Sequence, residues 1–379
     1  MAGIDVVKVT SRKQMNDFIR LPYYIYKNCP QYVPDFEDDI RQLFNAKTNP
    51  AYDFSDIQPF VAYRNHVPLG RIVGIINRKA NARWHTHNVR FSLIEFIDDA
   101  EVSSALVQAV ASWGRSLGMD TIDGPLGTTD FDKEGMLVED FQLRGTMNTI
   151  YNPDYYPHHL EALGFAKEVD WVQVRINIPP EVPARYARTA QYVREQMGLK
   201  VVTVTNSDIV KHGYGRKIFD LLNRAYTPIF GFSALSERQV SQFVDKYLRL
   251  IDKRLIPIVL NEREELVGVA VTMGCLSGAM QKAHGRLWPL GWWHLVRAMK
   301  WKHEDSAELL LVAIDPDYQG MGVNALFFDY LIPVYNAYGF RWAETGPQLE
   351  DNVRELSQWK ALKPEFVKRR RCYTKQIDN

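Results

Sequence analysis

Apolar positions along this chain come in short strand-like runs separated by helical periodicities, and the same succession of runs occurs twice. In the amino-terminal half, residues 60–63 and 70–76 read as paired strands about a turn at 65–68. In the carboxy-terminal half, 256–260 and 266–273 do the same about 261–265. Further on, Phe91-Ser-Leu-Ile-Glu-Phe-Ile97-Asp98 is followed by Ala105-Leu106, Gly118 and Gly124-Pro125. Likewise Glu308-Leu-Leu-Leu-Val-Ala-Ile314-Asp315 is followed by Ala325-Leu326, Gly339 and Gly346-Pro347. Each succession predicts an apolar strand, a turn, a helix stopped by glycine, a short strand and a Gly-Pro turn. An internal repeat accounts for both, against the alternative that two ordinary strand–helix–strand units look alike by chance. The copies diverge at the turn after the apolar strand. The second has Pro316-Asp-Tyr-Gln-Gly-Met-Gly-Val-Asn324, and the first has the shorter Asp99-Ala-Glu-Val-Ser-Ser104, without glycine.

Between the halves lies Ile178-Pro-Pro-Glu-Val-Pro183, whose three prolines suit neither a strand ladder nor a helix interior. It reads as a linker and places domains at 1–180 and 181–379. The length, 379 residues, suits two domains that each bury a core. The expected class is a mixed α/β (α+β) fold, with helices flanking a sheet in each half.

Composition narrows the function more than the fold. Apolar residues make up 46% and charged residues 24%, as in an ordinary globular protein, and the formal charge is +1. That balance offers no footprint for a nucleic acid partner, where a basic domain is expected. Cys29, Cys275 and Cys372 are far apart, fit neither a zinc spacing nor a disulfide framework, and suit a reducing cytoplasm. The nine histidines form no ligand cluster, so no metal is expected. The amino-terminal stretch lacks a long apolar run after a basic cluster, and no run of about 18 apolar residues is present to span a bilayer. Nothing in the pattern selects an oligomeric state.

Candidate chemistry sits at the divergent turn. Gln319-Gly320-Met321-Gly322-Val323-Asn324 follows an apolar strand and opens a helix at 323–334. Glycines there let a ligand approach the backbone, and free N–H groups with the helix dipole make an anion site suited to a pyrophosphate. A plain glycine-containing turn is the alternative. The run Val312-Ala-Ile-Asp-Pro-Asp-Tyr-Gln-Gly-Met-Gly322 resembles the coenzyme A-binding motif of the GNAT superfamily of acyltransferases, with Gln319, Gly320 and Gly322 in matching positions. Asn324 departs from the final Gly or Ala. The resemblance implies a splay of the fourth strand from the fifth, with acetyl-CoA or a longer acyl-CoA between them. It further implies that Leu311, Val312, Ala313 and Ile314 pair with the pantetheine arm, and that Met321 and Val323 belong to the phosphate loop with their neighbours. An N–H in that strand would polarise the thioester carbonyl. Residues 341–345 would be the splayed fifth strand, and Asn352 would lead the final helix, unless it serves simply as an N-cap. Trp359 stands where that family often has a thiolate-protonating Tyr, which leaves the general acid unassigned. In the first half, Asn152-Pro-Asp-Tyr-Tyr-Pro-His-His-Leu-Glu-Ala-Leu-Gly-Phe165 is similar to the closing helix of a second GNAT fold without its phosphate loop. The whole chain thus resembles a tandem GNAT protein with one degenerate copy, each sheet mixed and mostly antiparallel.

Amine acylation also needs a base and an acceptor site. Glu344, on the expected fifth strand, is the first candidate base and Glu350 the next; each carboxylate has the alternative of a surface or capping role. Asp130 and Glu134, in an acidic loop, and Tyr151 and Tyr155 are candidates to bind a small-molecule or lipid-like amine between the halves. The basic run 368–371 suits either phosphates or a solvated strand edge. Residues 280–305 have no counterpart in the first half. At helical spacing Trp288, Trp292, Leu295, Val296 and Met299 fall on one face, opposite His294, Arg297 and Lys300, with Trp293 and Trp301 on the polar side. This segment reads as a helix over the domain junction, as the roof of an acyl tunnel that includes Trp292, or as a peripheral membrane contact. The leading expectation is an acyl-CoA-dependent N-acyltransferase; a non-catalytic acyl-CoA-binding or regulatory protein is the alternative.

Overall fold

The computed structural model describes residues 3–377. The chain divides into two compact units, one formed by Met1–Val172, Ser277–Leu295 and Lys368–Asn379, the other by Gln173–Leu276 and Val296–Val367. A linear cut between residues 180 and 181 therefore does not trace the units, because each draws on more than one stretch of chain. The linker itself, 178–183, has no regular structure.

The first unit begins with β1 (Asp5–Lys8), α1 (Arg12–Ile25) and α2 (Glu37–Leu43), then β2 (Ser55–Arg64), β3 (Val67–Asn77) and α3 (Arg78–Trp84). It continues with β4 (Asn88–Phe96), α4 (Ala100–Ser116), β5 (Thr121–Gly124), β6 (Met136–Leu137), α5 (Tyr155–Ala162) and the start of β7 (Ala166–Asn177). Local chemistry sets several boundaries. Ser11 and Gln14 form a reciprocal capping box at the start of α1. Asn65 and His66, at φ 50° and 64°, make the two-residue left-handed turn that joins β2 to β3. Strands β1 to β4 pair antiparallel in chain order, and β4 pairs parallel with β5. Helix α4 supplies Val102, Leu106 and Val110 to a core with Phe60, Ile72, Phe91 and Phe96.

The second unit takes the end of β7, then α6 (Ala184–Met197), β8 (Lys200–Thr203), α7 (Asn206–Lys211), α8 (Tyr214–Ala225), α9 (Glu237–Phe243), β9 (Pro257–Leu260) and β10 (Leu266–Gly274). α10 (Ser277–Ala283) and the start of α11 (Gly291–Lys300) return to the first unit; β11 (Ser306–Ile314), α12 (Asn324–Tyr338), β12 (Trp342–Thr345), β13 (Gln348–Leu349) and α13 (Val353–Ser357) complete the second, and β14 (Glu365–Gln376) belongs to the first from Lys368 on. Here β8, β9, β10 and β11 pair antiparallel in chain order, and β11 pairs parallel with β12. The two units thus repeat one mixed, mostly antiparallel topology.

They differ in which strand comes next. In the second unit β12 pairs antiparallel with the end of β7, through Glu344 and Arg175 among others. In the first, β5 pairs antiparallel with β14, the carboxy-terminal strand. The basic run at the start of β14 is consequently half interior, alternating buried side chains with partly exposed ones that pair with carboxylates. Lys368 and Arg370 are buried, Arg370 donates to the carbonyl of Ile150, and Arg371 forks onto Asp170 at 2.8 and 3.0 Å. It forms neither a solvated edge nor a phosphate site.

Candidate functional site

In the second unit, β11 and β12 pair only from Ser306 with Trp342 to Leu309 with Thr345. Beyond that point β12 has ended, while β11, still paired with β10 on its other side, continues to Ile314 with this edge bare, which leaves a V-shaped opening beside it. The opening coincides with a register shift in the β10–β11 ladder, where Val271 opposes Leu311 but Thr272 opposes Leu309. Leu310 is the extra residue of a bulge, which bends the strand and re-aims the backbone beyond it. The Asp315 N–H donates to the carbonyl of Val267 at 2.9 Å. In an antiparallel ladder this makes Gly268 with Ile314, and Ala270 with Val312, the pairs whose own backbone groups point away from β10. The N–H and C=O of Val312 and Ile314 therefore line the open edge. There the Tyr226 hydroxyl donates to the Val312 carbonyl at 3.1 Å and the Gln319 amide to the Ile314 carbonyl at 3.0 Å.

The turn that follows is built for an anion. Gly320 and Gly322 sit at φ 80° and 85°, a region costly for residues with a Cβ. Helix α12 then starts with Val323 at its N-cap and no side-chain cap. Among the described residues, the N–H groups of Gly320, Gly322 and Val323 have no partner. The helix end thus presents free donors and the positive end of its dipole. Asn324, the departure from the expected small residue, bonds Gln358 at 3.3 Å through its side chain.

The first unit repeats the splay but closes it. Strands β4 and β5 pair only from Asn88 with Thr121 to Arg90 with Asp123, and a shift in the β3–β4 ladder accompanies Leu93 at φ 44°. The edge beyond is already satisfied. The Phe96 N–H donates to the Tyr156 hydroxyl at 2.8 Å, the Tyr155 hydroxyl donates to the Phe96 carbonyl at 2.7 Å, and the Leu126 N–H donates to the Phe91 carbonyl at 2.9 Å. The Tyr156 ring stacks on Phe96 with centroids 4.1 Å apart. At the helix that follows, the Asp99 carboxylate caps the N–H groups of Glu101 and Val102 and pairs with Arg64 at 2.8 Å. A fixed carboxylate thus occupies the anion position of this copy.

Of the candidate bases, Glu344 lies at the base of the V and is 1% exposed. Its Oε1 accepts from Gln173 and its Oε2 from Arg175, each at 3.0 Å. Sequence reading passed over its neighbour. Glu308 is directly opposite Glu344 in the parallel ladder and is also buried, so the two side chains leave one face of neighbouring strands whose backbones run about 4.8 Å apart. A carboxylate inside the otherwise apolar run 306–314 was the signal. Tyr226 was missed as well; only the fold brings its hydroxyl to β11. Glu350 is half-buried in the turn after β13. Asn352 caps α13, accepting from the Glu355 N–H at 3.2 Å. Trp359 is buried, donates to Gln348 at 3.1 Å and lies edge-on to Phe328.

The acceptor candidates belong to the first unit. Asp130 and Glu134 come close enough that burial and then the Asp130 charge push the Glu134 carboxyl well above its usual range. Tyr151 donates to the Phe141 carbonyl at 2.9 Å, and Tyr155 closes the β4 edge as described. Trp292 is exposed, with its indole N–H on the Pro289 carbonyl at 3.0 Å.

No family model matches the chain. A tandem GNAT protein from the clavulanic acid biosynthesis pathway superposes with a TM-score of 0.57 at 12% identity, covering 99% of both chains. The fold is that of a tandem GNAT protein. A GCN5-related N-acetyltransferase from Sphaerobacter thermophilus superposes at 0.53 with 11% identity, covering 99% of this chain and 96% of its own. In sequence, the chain is similar to a bacterial ceramide synthase from Caulobacter vibrioides, 25% identical over 325 residues, 84% of this chain and 82% of that protein. Protein YghO of Escherichia coli is 24% identical over 375 residues, 97% of this chain and 94% of its own.

Proposed function

We propose that the chain is an N-acyltransferase that uses acyl-CoA through its second unit. The observation that carries this reading is the contrast between two copies of one topology. One has an open V, unpartnered N–H groups and an uncapped helix; the other fills the same features with tyrosines and an aspartate. A pyrophosphate suits the free donors of Gly320, Gly322 and Val323, and the exposed edge at Val312 and Ile314 suits an extended amide-bearing arm.

The chemistry required is the formation of an N–C bond as a C–S bond breaks, with one proton leaving the amine and one reaching sulfur. The Val312 N–H, beyond the bulge, is placed to stabilise charge developing on the carbonyl oxygen. Glu308, beside Glu344 and its Arg175 partner, is the carboxylate we assign to receive the amine's proton, directly or through water. Glu344 holds Arg175 and so sets the charge of the pair. Tyr226 takes the place of the missing family tyrosine as the proton donor near the V.

The ceramide synthase relative supports a particular acceptor class. A ceramide is a long-chain amino alcohol acylated on nitrogen by a fatty acid, so the matching substrates here are a long-chain amine and a fatty acyl-CoA. Calorimetry with coenzyme A tests the site first. Binding at a hundred times Kd raises stability by about 2.7 kcal/mol, and no shift at millimolar ligand overturns the reading. Thiol release with palmitoyl-CoA and a sphingoid base, against acetyl-CoA and a short amine, then tests the substrates. Equal rates for both pairs refute the lipid assignment, and coenzyme A binding without thiol release leaves a binding protein.

A further inference from the structure

We propose that the exposed aromatic and basic face of α11 docks on an anionic lipid bilayer. The proposal goes beyond acyl transfer and stands without it. Five large apolar side chains are exposed in this short segment: Trp288 (75%), Leu290 (66%), Trp292 (41%), Trp293 (43%) and Trp301 (63%). Within α11 only Gly291 is buried, while Leu295, Val296 and Met299 are half-buried. The exposed positions form one helical row, Trp293–Arg297–Trp301 at i, i+4, i+8 spacing, beside Trp292 and Lys300, which flank the half-buried Val296 at the same spacing. Indole rings and cationic groups therefore share one surface, where the Trp292 ring centroid lies 6.4 Å from that of Trp288 and 6.0 Å from that of Trp293.

Charge complementarity selects the occupant. From Gln281 to His303 the chain has no carboxylate, and beside Arg286, which Glu37 neutralises, it carries Lys282, Arg297, Lys300 and Lys302. Trp rings with Lys and Arg on a helix match the headgroup layer of a bilayer bearing negative lipids. The base of the segment is also fixed. The Gly285 carbonyl accepts from the Glu37 N–H at 2.9 Å, Arg286 pairs with Glu37 at 2.7 Å, and Gln281 donates to the carbonyls of Pro30 and Tyr32 at 2.7 and 2.9 Å. Those contacts hold the root of the segment to the first unit and leave the tryptophans at the surface.

The test is sedimentation of the full chain with phosphatidylcholine vesicles, with and without phosphatidylglycerol. Binding is expected on the anionic vesicles and is weaker by at least about tenfold on the neutral ones. The combined variant Trp288→Ser, Trp292→Ser, Trp293→Ser and the variant Arg297→Glu, Lys300→Glu each lose about tenfold or more on anionic vesicles. Tyr192→Ser, at an exposed aromatic on α6, leaves binding unchanged. Circular dichroism melts establish that each variant is folded. The proposal is overturned if wild type ignores anionic vesicles, or if the folded variants bind as well as wild type. It is also overturned if the tryptophans mediate a concentration-dependent dimer that light scattering detects and the serine variant abolishes. Vesicle partition is read without turnover, so its failure leaves the acyl-transfer reading untouched.

Discussion

Replacing the two loop glycines one at a time separates backbone strain from ligand contact. Gly320 and Gly322 have nearly the same φ, 80° and 85°, so alanine at either position carries a left-handed penalty of about 1–2 kcal/mol. Their surroundings differ. A Cβ on Gly320 meets no atom within 4 Å, whereas one on Gly322 lies 2.7 Å from the Thr189 methyl on α6. Overpacking adds about 1–3 kcal/mol at the second site only. Guanidinium denaturation should therefore rank Gly320→Ala as mildly and Gly322→Ala as markedly destabilised, with Thr189→Ser recovering much of the difference. Coenzyme A affinity should follow another order. The Gly320 methyl projects into open space beside the free N–H groups, where a phosphate must approach. Calorimetry should show at least about thirtyfold weaker binding for folded Gly320→Ala, equivalent to about 2 kcal/mol. Unchanged affinity in a folded Gly320→Ala protein would falsify the phosphate-loop assignment, and equal stability of the two variants would refute the packing argument.

Glu308→Gln should lower kcat by about a hundredfold or more while leaving coenzyme A affinity within about threefold, as removal of a general base does; a wild-type kcat sinks the assignment. Glu344→Gln leaves the half-buried Arg175 without its charge partner, and with the pair only partly shielded from water it should cost about 1–2 kcal/mol in a urea titration, whatever its effect on rate. Tyr226→Phe should reduce kcat with long-chain acyl-CoA more than it raises KM; a change in KM alone would mean the hydroxyl only caps Val312. In the first unit, burial lifts the Asp123 carboxyl from 3.8 to about 6, against the opposing pull of Arg90 and Asn88. A carboxyl with a raised folded pKa stabilises fully below 3.8, and that stability is lost as pH rises through 6, about 3 kcal/mol in all. Denaturation between pH 4 and 7.5 should show wild type losing most of that relative to Asp123→Asn; parallel pH profiles would refute it.

What depends on neighbours along the chain was legible from the residues alone. Periodicity marked β2, β3, β10 and β11 because a strand or helix must show its buried face at a fixed spacing. The glycines at 320 and 322 were legible because only glycine enters their backbone region at little cost. Asp99, by the same token, already read as a different turn. Tertiary structure decided everything that depends on pairing across distance. Nothing local says that β14, and not β7, lies beside β5, since strand choice follows ladder geometry and core packing far from either strand's own residues. The same holds for Tyr155 and Tyr156, whose rings could have lined an acceptor site but instead close the first splay, and for Glu308, whose opposition to Glu344 is a fact of register. The tryptophans of α11 show it most plainly. Helical spacing sorts residues into faces, but which face meets the protein is settled by what packs against the helix.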